Sequence, residues 1–121
     1  MSHLRINQSE PINQLFRAML SLKDLDEYYT FFSDLCTVQE LTSFAQRLQV
    51  AQLLSDGYTY KMVGDQIPMG SSTITRINTE LRYGSGGYRM ALDRLAALDE
   101  GLTQSGTDDP DASAAPVTDH G

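Results

Sequence analysis

A four-residue break, Ile67-Pro68-Met69-Gly70, separates two short segments of helical periodicity and limits how this chain can fold. Proline cannot continue a helix interior and glycine allows a positive φ, so the break predicts a tight turn. Thr59 is placed to cap a first helix that runs to about Gln66. Ser71 or Ser72 is placed to cap a second helix. Two short helices joined by four residues have the geometry of a helix-turn-helix.

The second helix of this pair divides into an apolar face and a polar face. Ile74, Ile77 and Leu81 are spaced i, i+3 and i+7, so they share one side of a helix and are predicted to be buried. The helix is predicted to end at Tyr83 and the glycine-rich run that follows it. The polar residues that face elsewhere are Thr73, Thr75, Arg76 and Asn78.

The rest of the chain is also helical in pattern, and no segment predicts a strand of useful length. Further helices are predicted to begin after Ser9, after Lys23-Asp24, at the capping box Thr37-Val38-Gln39-Glu40, and at Tyr88. The capped helix is predicted to end at Asp56-Gly57 and the last helix at about Leu98. The predicted fold class is therefore all-α.

The first two predicted helices carry apolar stripes that need a partner surface. The stripes comprise Ile12, Leu15, Phe16, Met19 and Leu20 in the first helix and Leu25, Tyr28, Tyr29, Phe32 and Leu35 in the second. A domain of about a hundred residues buries only about 65 % of the surface of its unfolded chain. Oligomerisation would bury more apolar surface, and we expect these helices to take part in it.

The net charge of −7 is unevenly distributed along the chain. Residues 102–121 are rich in Ser, Thr, Ala, Pro and Gly and contain four aspartates but no lysine or arginine, so we expect a disordered acidic tail. Residues 1–101 form the predicted folded domain, in which residues 57–90 carry four basic and two acidic side chains. The overall acidity counts against nucleic-acid binding without excluding it, because binding depends on the face presented to phosphate.

Few residues of this chain could support catalysis or metal binding. The two histidines, His3 and His120, stand near the two ends of the sequence, so neither a metal cluster nor a histidine-assisted nucleophile is predicted. Cys36, the single cysteine, ends an apolar run and is predicted to be a small buried hydrophobe. The run Gly84-Ser85-Gly86-Gly87 follows a helix and lacks the lysine of a phosphate-binding loop, so it is interpreted as a joint. We expect a protein without enzymatic activity.

No segment of the sequence predicts export or membrane insertion. The first residues lack the apolar core of a signal peptide, and no uncharged apolar stretch approaches the length of a membrane span. A single cysteine permits no intrachain disulfide, which suits a reducing compartment. The expectation is a soluble cytoplasmic protein.

The start of the second helix of the pair has side chains suited to DNA. In a helix-turn-helix the N-terminal residues of that helix enter the major groove. Hydroxyl groups pair with base edges or phosphates, a threonine methyl meets thymine, and arginine pairs with guanine. The residues at this start are Ser71, Ser72, Thr73, Thr75 and Arg76. The side chains placed for phosphate contact are those of Tyr58, Tyr60, Lys61, Arg76 and Arg82. An ordinary helical hairpin with a polar outer face is the alternative at this point.

Two strings of residues resemble the Trp repressor superfamily. They are Gln46-Arg47-Leu48-Gln49-Val50-Ala51-Gln52-Leu53-Leu54 and Gly70-Ser71-Ser72-Thr73-Ile74-Thr75-Arg76. Within the superfamily the sequence is similar to the YerC/YecD-type Trp repressor-related proteins, which share the RL-x-VA-x-LL and Gly-Tyr-Thr-Tyr stretches. The resemblance extends over residues 9–98, nearly all of the predicted folded domain.

The resemblance implies an intertwined, all-helical homodimer from which two helix-turn-helix heads project. Two heads on a twofold axis would contact half-sites about one helical turn apart, roughly 34 Å. Lys61 matches a basic position of the first head helix that contacts DNA. The residues that match the base- and phosphate-facing start of the recognition helix are Ser71, Ser72, Thr73 and Thr75.

Tryptophan binding is where this sequence departs from the Trp repressor. Arg76 matches an arginine that lines the tryptophan pocket of that protein. The other pocket arginine falls at Gln46, with Arg47 one position away on a different face. Ile77 replaces a small residue and would fill the space that the indole needs. We therefore expect no tryptophan corepressor, and the sequence identifies no other cofactor or effector.

The residues and the resemblance together predict a sequence-specific DNA-binding transcriptional regulator that acts as a homodimer and represses by occupying an operator. Its partners would be double-stranded DNA and a second copy of the chain. The alternative is a helical dimerisation or adaptor module that binds a protein partner, which the acidic balance favours. A DNA binder weakens steeply with salt, whereas an adaptor shows little salt dependence, so the two functions are distinguishable.

Overall fold

The computed structural model describes residues 4–105, and within them it contains six α-helices and no strand. The helices are α1 (Glu10–Leu20), α2 (Leu25–Leu35), α3 (Val38–Ser55), α4 (Tyr60–Gln66), α5 (Ser71–Tyr83) and α6 (Gly87–Ser105). The chain divides after Gly86 into two compact units, the first with α1 to α5 and the second with α6. The predicted all-α fold class is confirmed.

Side-chain caps start four of the helices where the sequence predicts them. The caps are Ser9 for α1, Asp24 for α2, Thr37 for α3 and Thr59 for α4. The predicted capping box is complete, because the Glu40 amide donates to Thr37 Oγ1 at 3.0 Å and the Thr37 amide donates to Glu40 Oε1 at 2.8 Å. These local hydrogen bonds satisfy amides that have no partner within their helices.

Gly57 ends α3 in the left-handed conformation that the sequence predicts, with φ of 97°. Its amide donates to the Leu54 carbonyl at 3.1 Å, and the Tyr58 amide donates to the Leu53 carbonyl at 3.0 Å. This pair of bonds is a Schellman motif, which satisfies the last carbonyls of the helix. The chain thereby turns from α3 towards α4.

The start of α5 differs from the prediction that Ser71 or Ser72 caps it. Gly70 is the N-cap residue, in an extended conformation with φ of −67° and ψ of 154°, and it has no side chain to accept a hydrogen bond. Ser71 and Ser72 are instead the first two helical residues. The prediction was wrong because the extended conformation of Gly70 starts the helix one residue early, and α5 begins without a side-chain cap.

The core of the first unit lies where the second half of α3 meets α4 and α5. Ile74, Ile77 and Leu81 are buried, which confirms the predicted apolar face of α5. The other buried residues of this core are Val50, Ala51, Leu54, Val63 and Ile67. We call this cluster of packed helices, residues 50–83, the head.

The helices before the head bury none of their own residues. Neither α1 nor α2 contains a buried residue, and the first half of α3 also leaves apolar side chains exposed. The exposed apolar residues of these helices are Phe16, Leu20, Leu25, Tyr28, Tyr29, Leu35, Val38, Phe44 and Leu48. We call this set the N-terminal apolar surface. Cys36, predicted to be buried, is half-buried at the end of α2.

The second unit is a helix that is longer than the sequence predicts. α6 begins at Gly87, one residue before the predicted start, and ends at Ser105 rather than at Leu98. Its last four residues belong to the segment predicted as an acidic tail, and the rest of that segment, 106–121, lies outside the described residues. His3 and His120 lie outside them as well. The predicted joint coincides with the boundary between the units, where Gly86 has φ of 94°.

Within residues 4–105, no helix is both long and apolar enough to cross a membrane. The same part of the chain contains no group of three or more His, Cys, Asp or Glu side chains that could hold a metal ion.

Candidate nucleic-acid interface

The two helices of the predicted helix-turn-helix pack against each other and against α3. α4 ends at Gln66 and α5 begins at Ser71, so four residues join them. Val63 of α4, Ile67 of the link and Ile74 of α5 are all buried in the head. These contacts fix the position of α5, because a well-packed core tolerates little displacement of its side chains.

The N-terminal end of α5 presents free amides and hydroxyl groups to solvent. The first hydrogen bond of the helix runs from the Ile74 amide to the Gly70 carbonyl at 3.1 Å, and Gly70 offers no capping side chain. The amides of Ser71 and Ser72 therefore remain available, with the positive end of the helix dipole behind them. Such an end favours an anion such as a DNA phosphate.

Most of the residues predicted to contact DNA are exposed at this end. Ser71, Ser72, Thr75 and Arg76 are exposed within the first two turns of α5. Thr73 was predicted to be exposed and is half-buried. It lies one helical turn before Ile77, so it borders the buried face of the helix.

The hydroxyl group of Thr75 already donates a hydrogen bond within the helix. Its Oγ1 donates to the Ser71 carbonyl at 2.9 Å, and Thr79 Oγ1 donates in the same way to the Thr75 carbonyl at 3.1 Å. The hydroxyl oxygen of Thr75 can still accept a hydrogen bond, and its methyl group is free for an apolar contact. An amino group of adenine or cytosine and the methyl group of thymine are the base groups with matching chemistry.

The three basic side chains predicted to contact DNA differ in the side chains with which they pair. Lys61 Nζ lies 3.2 Å from Asp65 Oδ2, in an exposed ion pair of the kind that contributes about 0.3–0.5 kcal/mol. Arg82 Nε donates to Asn78 Oδ1 at 3.1 Å, which orients the guanidinium group. Arg76 is exposed and makes no ion pair or hydrogen bond with any described side chain, so its guanidinium group is available to a binding partner.

Two residues of this surface were not predicted as part of the site. Asp65 lies beside Lys61 and neutralises part of its charge, and Asn78 holds Arg82. Both pairs have the i, i+4 spacing that brings side chains together on a helix surface. That spacing was the sequence signal from which both could have been found.

The residues that resemble the tryptophan pocket of the Trp repressor are engaged in other contacts. Ile77 is buried in the head. The guanidinium carbon of Arg47 lies 5.8 Å from the centre of the Phe44 ring, a cation–π contact. Gln46 is half-buried and carries no charge. Only Arg76 keeps both the residue type and an exposed side chain.

Comparisons with known proteins identify the same family that the sequence resembles. A model of the family described as Trp repressor protein matches residues 10–96. The protein YerC of Bacillus subtilis is 47 % identical over 88 residues, which are 73 % of this chain and 85 % of that protein.

Solved structures are similar over the same part of the chain. The crystal structure of a TrpR-like protein from Eubacterium eligens is 43 % identical with a TM-score of 0.70, and the match covers 74 % of this chain and 92 % of that one. A structure from Staphylococcus aureus is 40 % identical with the same TM-score of 0.70, covering 74 % and 89 % of the two chains.

Proposed function

This chain belongs to the Trp repressor family, and from that premise we propose that it is a sequence-specific DNA-binding transcriptional regulator. The observation that carries the proposal is the start of α5. One end of this helix carries uncapped amides, exposed hydroxyl groups and the exposed guanidinium of Arg76, and the packing of the head holds the helix in place. This is the chemistry that a recognition helix brings to the major groove.

In the proposed complex, phosphates and bases are contacted by different groups. The amides of Ser71 and Ser72 and the side chains of Lys61 and Arg82 hold phosphates, which sets the position of the head but carries no sequence information. Base edges meet the hydroxyl groups of Ser71, Ser72 and Thr75 and the guanidinium of Arg76. Thr73 has a smaller part, because its side chain is half-buried.

We further propose that the protein is a homodimer whose interface includes the N-terminal apolar surface. Monomeric proteins rarely expose apolar patches much larger than a few hundred Å². Family membership supports the same assembly, with two heads that contact half-sites roughly 34 Å apart. A dimer of this kind would repress by occupying an operator inside the cell.

The proposed regulator uses no tryptophan corepressor. Ile77, which replaces a small residue of the Trp repressor pocket, is buried in the head, and Gln46 carries no charge where that pocket has an arginine. Isothermal calorimetry with tryptophan should therefore show no binding at micromolar concentrations. Saturable micromolar binding would refute this part of the proposal.

A protein adaptor is the second candidate function, and the N-terminal apolar surface is the observation that favours it. Such a surface could hold a different protein rather than a second copy of this chain. An adaptor of this type would need neither the exposed hydroxyl groups of α5 nor the free Arg76 side chain.

Selection of genomic DNA fragments by the purified full-length protein, at a series of salt concentrations, tests the proposed function. We expect enrichment of a recurring palindromic site and an affinity that falls steeply as salt rises. The double variant Thr73→Ala and Thr75→Ala should lose about 1–3 kcal/mol of discrimination between that site and random DNA. No enrichment at low salt would exclude the DNA-binding function and favour the adaptor.

A further inference from the structure

Asn78 and Arg82 form a hydrogen-bonded pair in the second half of α5. Arg82 Nε donates to Asn78 Oδ1 at 3.1 Å, across the i, i+4 spacing of the helix. With Ser71 and Thr75, the two residues are spaced i, i+4, i+7 and i+11, so all four lie in one stripe along the helix. The helix rise of about 1.5 Å per residue places Arg82 about 16 Å from Ser71 along this stripe. The pair therefore shares one side of α5 with residues proposed to contact DNA.

The Asn78 side chain is held in place by its surroundings. It is half-buried, whereas Arg82 is exposed. Its neighbours one turn away on the helix are Ile74 and Leu81, which are both buried in the head. A short side chain beside closely packed residues has few rotamers open to it. The Asn78 amide is therefore a fixed acceptor, to which the long side chain of Arg82 adapts.

The partner of Arg82 carries no charge, whereas the partner of Lys61 does. Asp65 cancels part of the charge that Lys61 would present to a phosphate. Asn78 orients Arg82 without cancelling any charge, and Arg82 forms no ion pair within residues 4–105. Because the hydrogen bond uses Nε, the terminal nitrogens Nη1 and Nη2 of Arg82 can still donate to a phosphate.

The same hydrogen bond limits what Asn78 itself can offer to DNA. Asparagine recognises adenine by using its amide oxygen and its amide nitrogen together. In this structure the oxygen accepts from Arg82 on the same helix. A two-bond contact between Asn78 and adenine would therefore break the pair, and the structure favours a role for Asn78 that does not depend on the base.

We propose that Asn78 is a positioning residue for phosphate binding, which holds the guanidinium group of Arg82 with its terminal nitrogens towards one phosphate of the DNA backbone. This inference rests on the proposed function and deepens it, because it assigns both residues a role that is independent of sequence. An arginine that is ordered before binding loses less entropy when it meets the phosphate. In homeodomains, which are also helix-turn-helix proteins, the C-terminal end of the recognition helix contacts the backbone in the same way.

Fluorescence anisotropy with the full-length protein tests this role on two duplexes of equal length, the selected site and a random sequence. Arg82→Ala removes one phosphate contact, so it should lower the slope of log affinity against log salt by about one. Asn78→Ala keeps every charge, yet it should also lower this slope and weaken both duplexes by the same factor, about threefold or more. The ratio of the two affinities should stay within about twofold of the wild type, because a phosphate contact carries no sequence information.

A double-mutant cycle tests whether Asn78 acts through Arg82. In the Arg82→Ala background, Asn78→Ala should change affinity by less than about 1.5-fold, because the group that it positions is gone. In the Lys61→Ala background, which is the matched control, Asn78→Ala should retain its full effect, since Lys61 is paired with Asp65 on another helix. Urea denaturation checks the stability of each variant, and alanine favours the helix at position 78.

Nuclear magnetic resonance of the wild-type protein provides a readout that needs no variant. The Nε–H group of Arg82 should exchange with water more slowly than that of Arg76, which has no hydrogen-bonded partner among the described residues. Equal exchange rates for the two groups would contradict the fixed position of Arg82.

The outcomes with DNA separate this inference from the proposed function. If the wild-type protein binds neither duplex at low salt, the proposed function fails and this inference fails with it. If the wild-type protein binds both duplexes with a steep salt dependence, the proposed function stands. In that case, Asn78 has no positioning role if Asn78→Ala has no effect, if its effect multiplies with that of Arg82→Ala, or if it lowers the preference for the selected site.

Discussion

In the head, apolar side chains are packed within a single chain, whereas in α1 and α2 they lie on its surface. Ile74 of α5 is 2 % exposed and Leu20 of α1 is 82 % exposed, although both belong to amphipathic helices. An amphipathic helix buries its apolar face only where a matching surface exists. α3, α4 and α5 provide that surface for each other, and α1 and α2 do not. The head is therefore stabilised by contacts within one chain, whereas the N-terminal apolar surface would be buried only by a partner.

Substitution of a buried residue of the head should have the largest effect. Ile74→Ala should lower the free energy of unfolding by about 2–5 kcal/mol, because it leaves a cavity between α4 and α5. Leu20→Ala is the control, and in dilute solution it should change that free energy by less than about 0.5 kcal/mol. Urea denaturation at several protein concentrations measures both. A large loss for Leu20→Ala at every concentration would show that α1 is packed within its own chain, and the comparison would fail.

A charge on the N-terminal apolar surface should dissociate the proposed dimer. Phe44→Glu would place an unpaired carboxylate in the interface, which should raise the dissociation constant at least about a hundredfold. Gln49→Glu adds the same charge at an exposed polar position of α3 and should have little effect. Analytical ultracentrifugation measures the assembly, and circular dichroism checks that the helices persist. An unchanged sedimentation coefficient for Phe44→Glu would exclude this surface from the interface.

Hydroxyl groups at the starts of α3 and α5 should differ in their effect on stability. Thr37→Ala removes one half of a capping box and should lower the free energy of unfolding by about 1 kcal/mol. Ser71→Ala removes a hydroxyl group that caps nothing, so it should leave stability within about 0.5 kcal/mol of the wild type. Thermal denaturation provides the comparison. Equal losses would mean that Ser71 does act as a cap.

The smallest effect is expected at the Lys61–Asp65 pair. Asp65→Asn should leave the free energy of unfolding nearly unchanged, because an exposed i, i+4 pair contributes only about 0.3–0.5 kcal/mol. The same change should raise affinity for DNA about twofold, since Lys61 is then free to contact a phosphate. Asp93→Asn, which removes a carboxylate of the Arg89–Asp93 pair on α6, is the control in a fluorescence anisotropy titration. Weaker binding by Asp65→Asn would contradict the proposed role of Lys61.

Most of the fold could be predicted from the sequence because its signals are local. The capping residues Ser9, Asp24, Thr37 and Thr59 stand where helices begin, and Gly57 ends α3. The boundaries that differ from the prediction are the start of α5 and both ends of α6. Gly70 starts α5 through its backbone conformation alone, and α6 continues beyond Leu98 through Gly101, although glycine is a residue type that often ends a helix.

The sequence predicts which residue types form the candidate site, but it predicts less well how deeply each of them is buried. The spacing of Ile74, Ile77 and Leu81 fixed which side of α5 is polar, and it therefore identified the exposed hydroxyl groups. The half-burial of Thr73 follows from how closely α5 packs on the head, which periodicity alone does not define.

The most direct test of the central claim compares two threonines on α5 that differ in position but make the same hydrogen bond. Thr75→Ala and Thr79→Ala each remove an exposed hydroxyl group that donates to the carbonyl four residues earlier, so their effects on stability should match. The measurement is the ratio of affinities for the selected site and for random DNA at one salt concentration. We predict that Thr75→Ala lowers this ratio about fivefold or more while Thr79→Ala changes it by less than about twofold. An unchanged ratio for Thr75→Ala, or equal losses for the two variants, would contradict the claim that the start of α5 contacts bases.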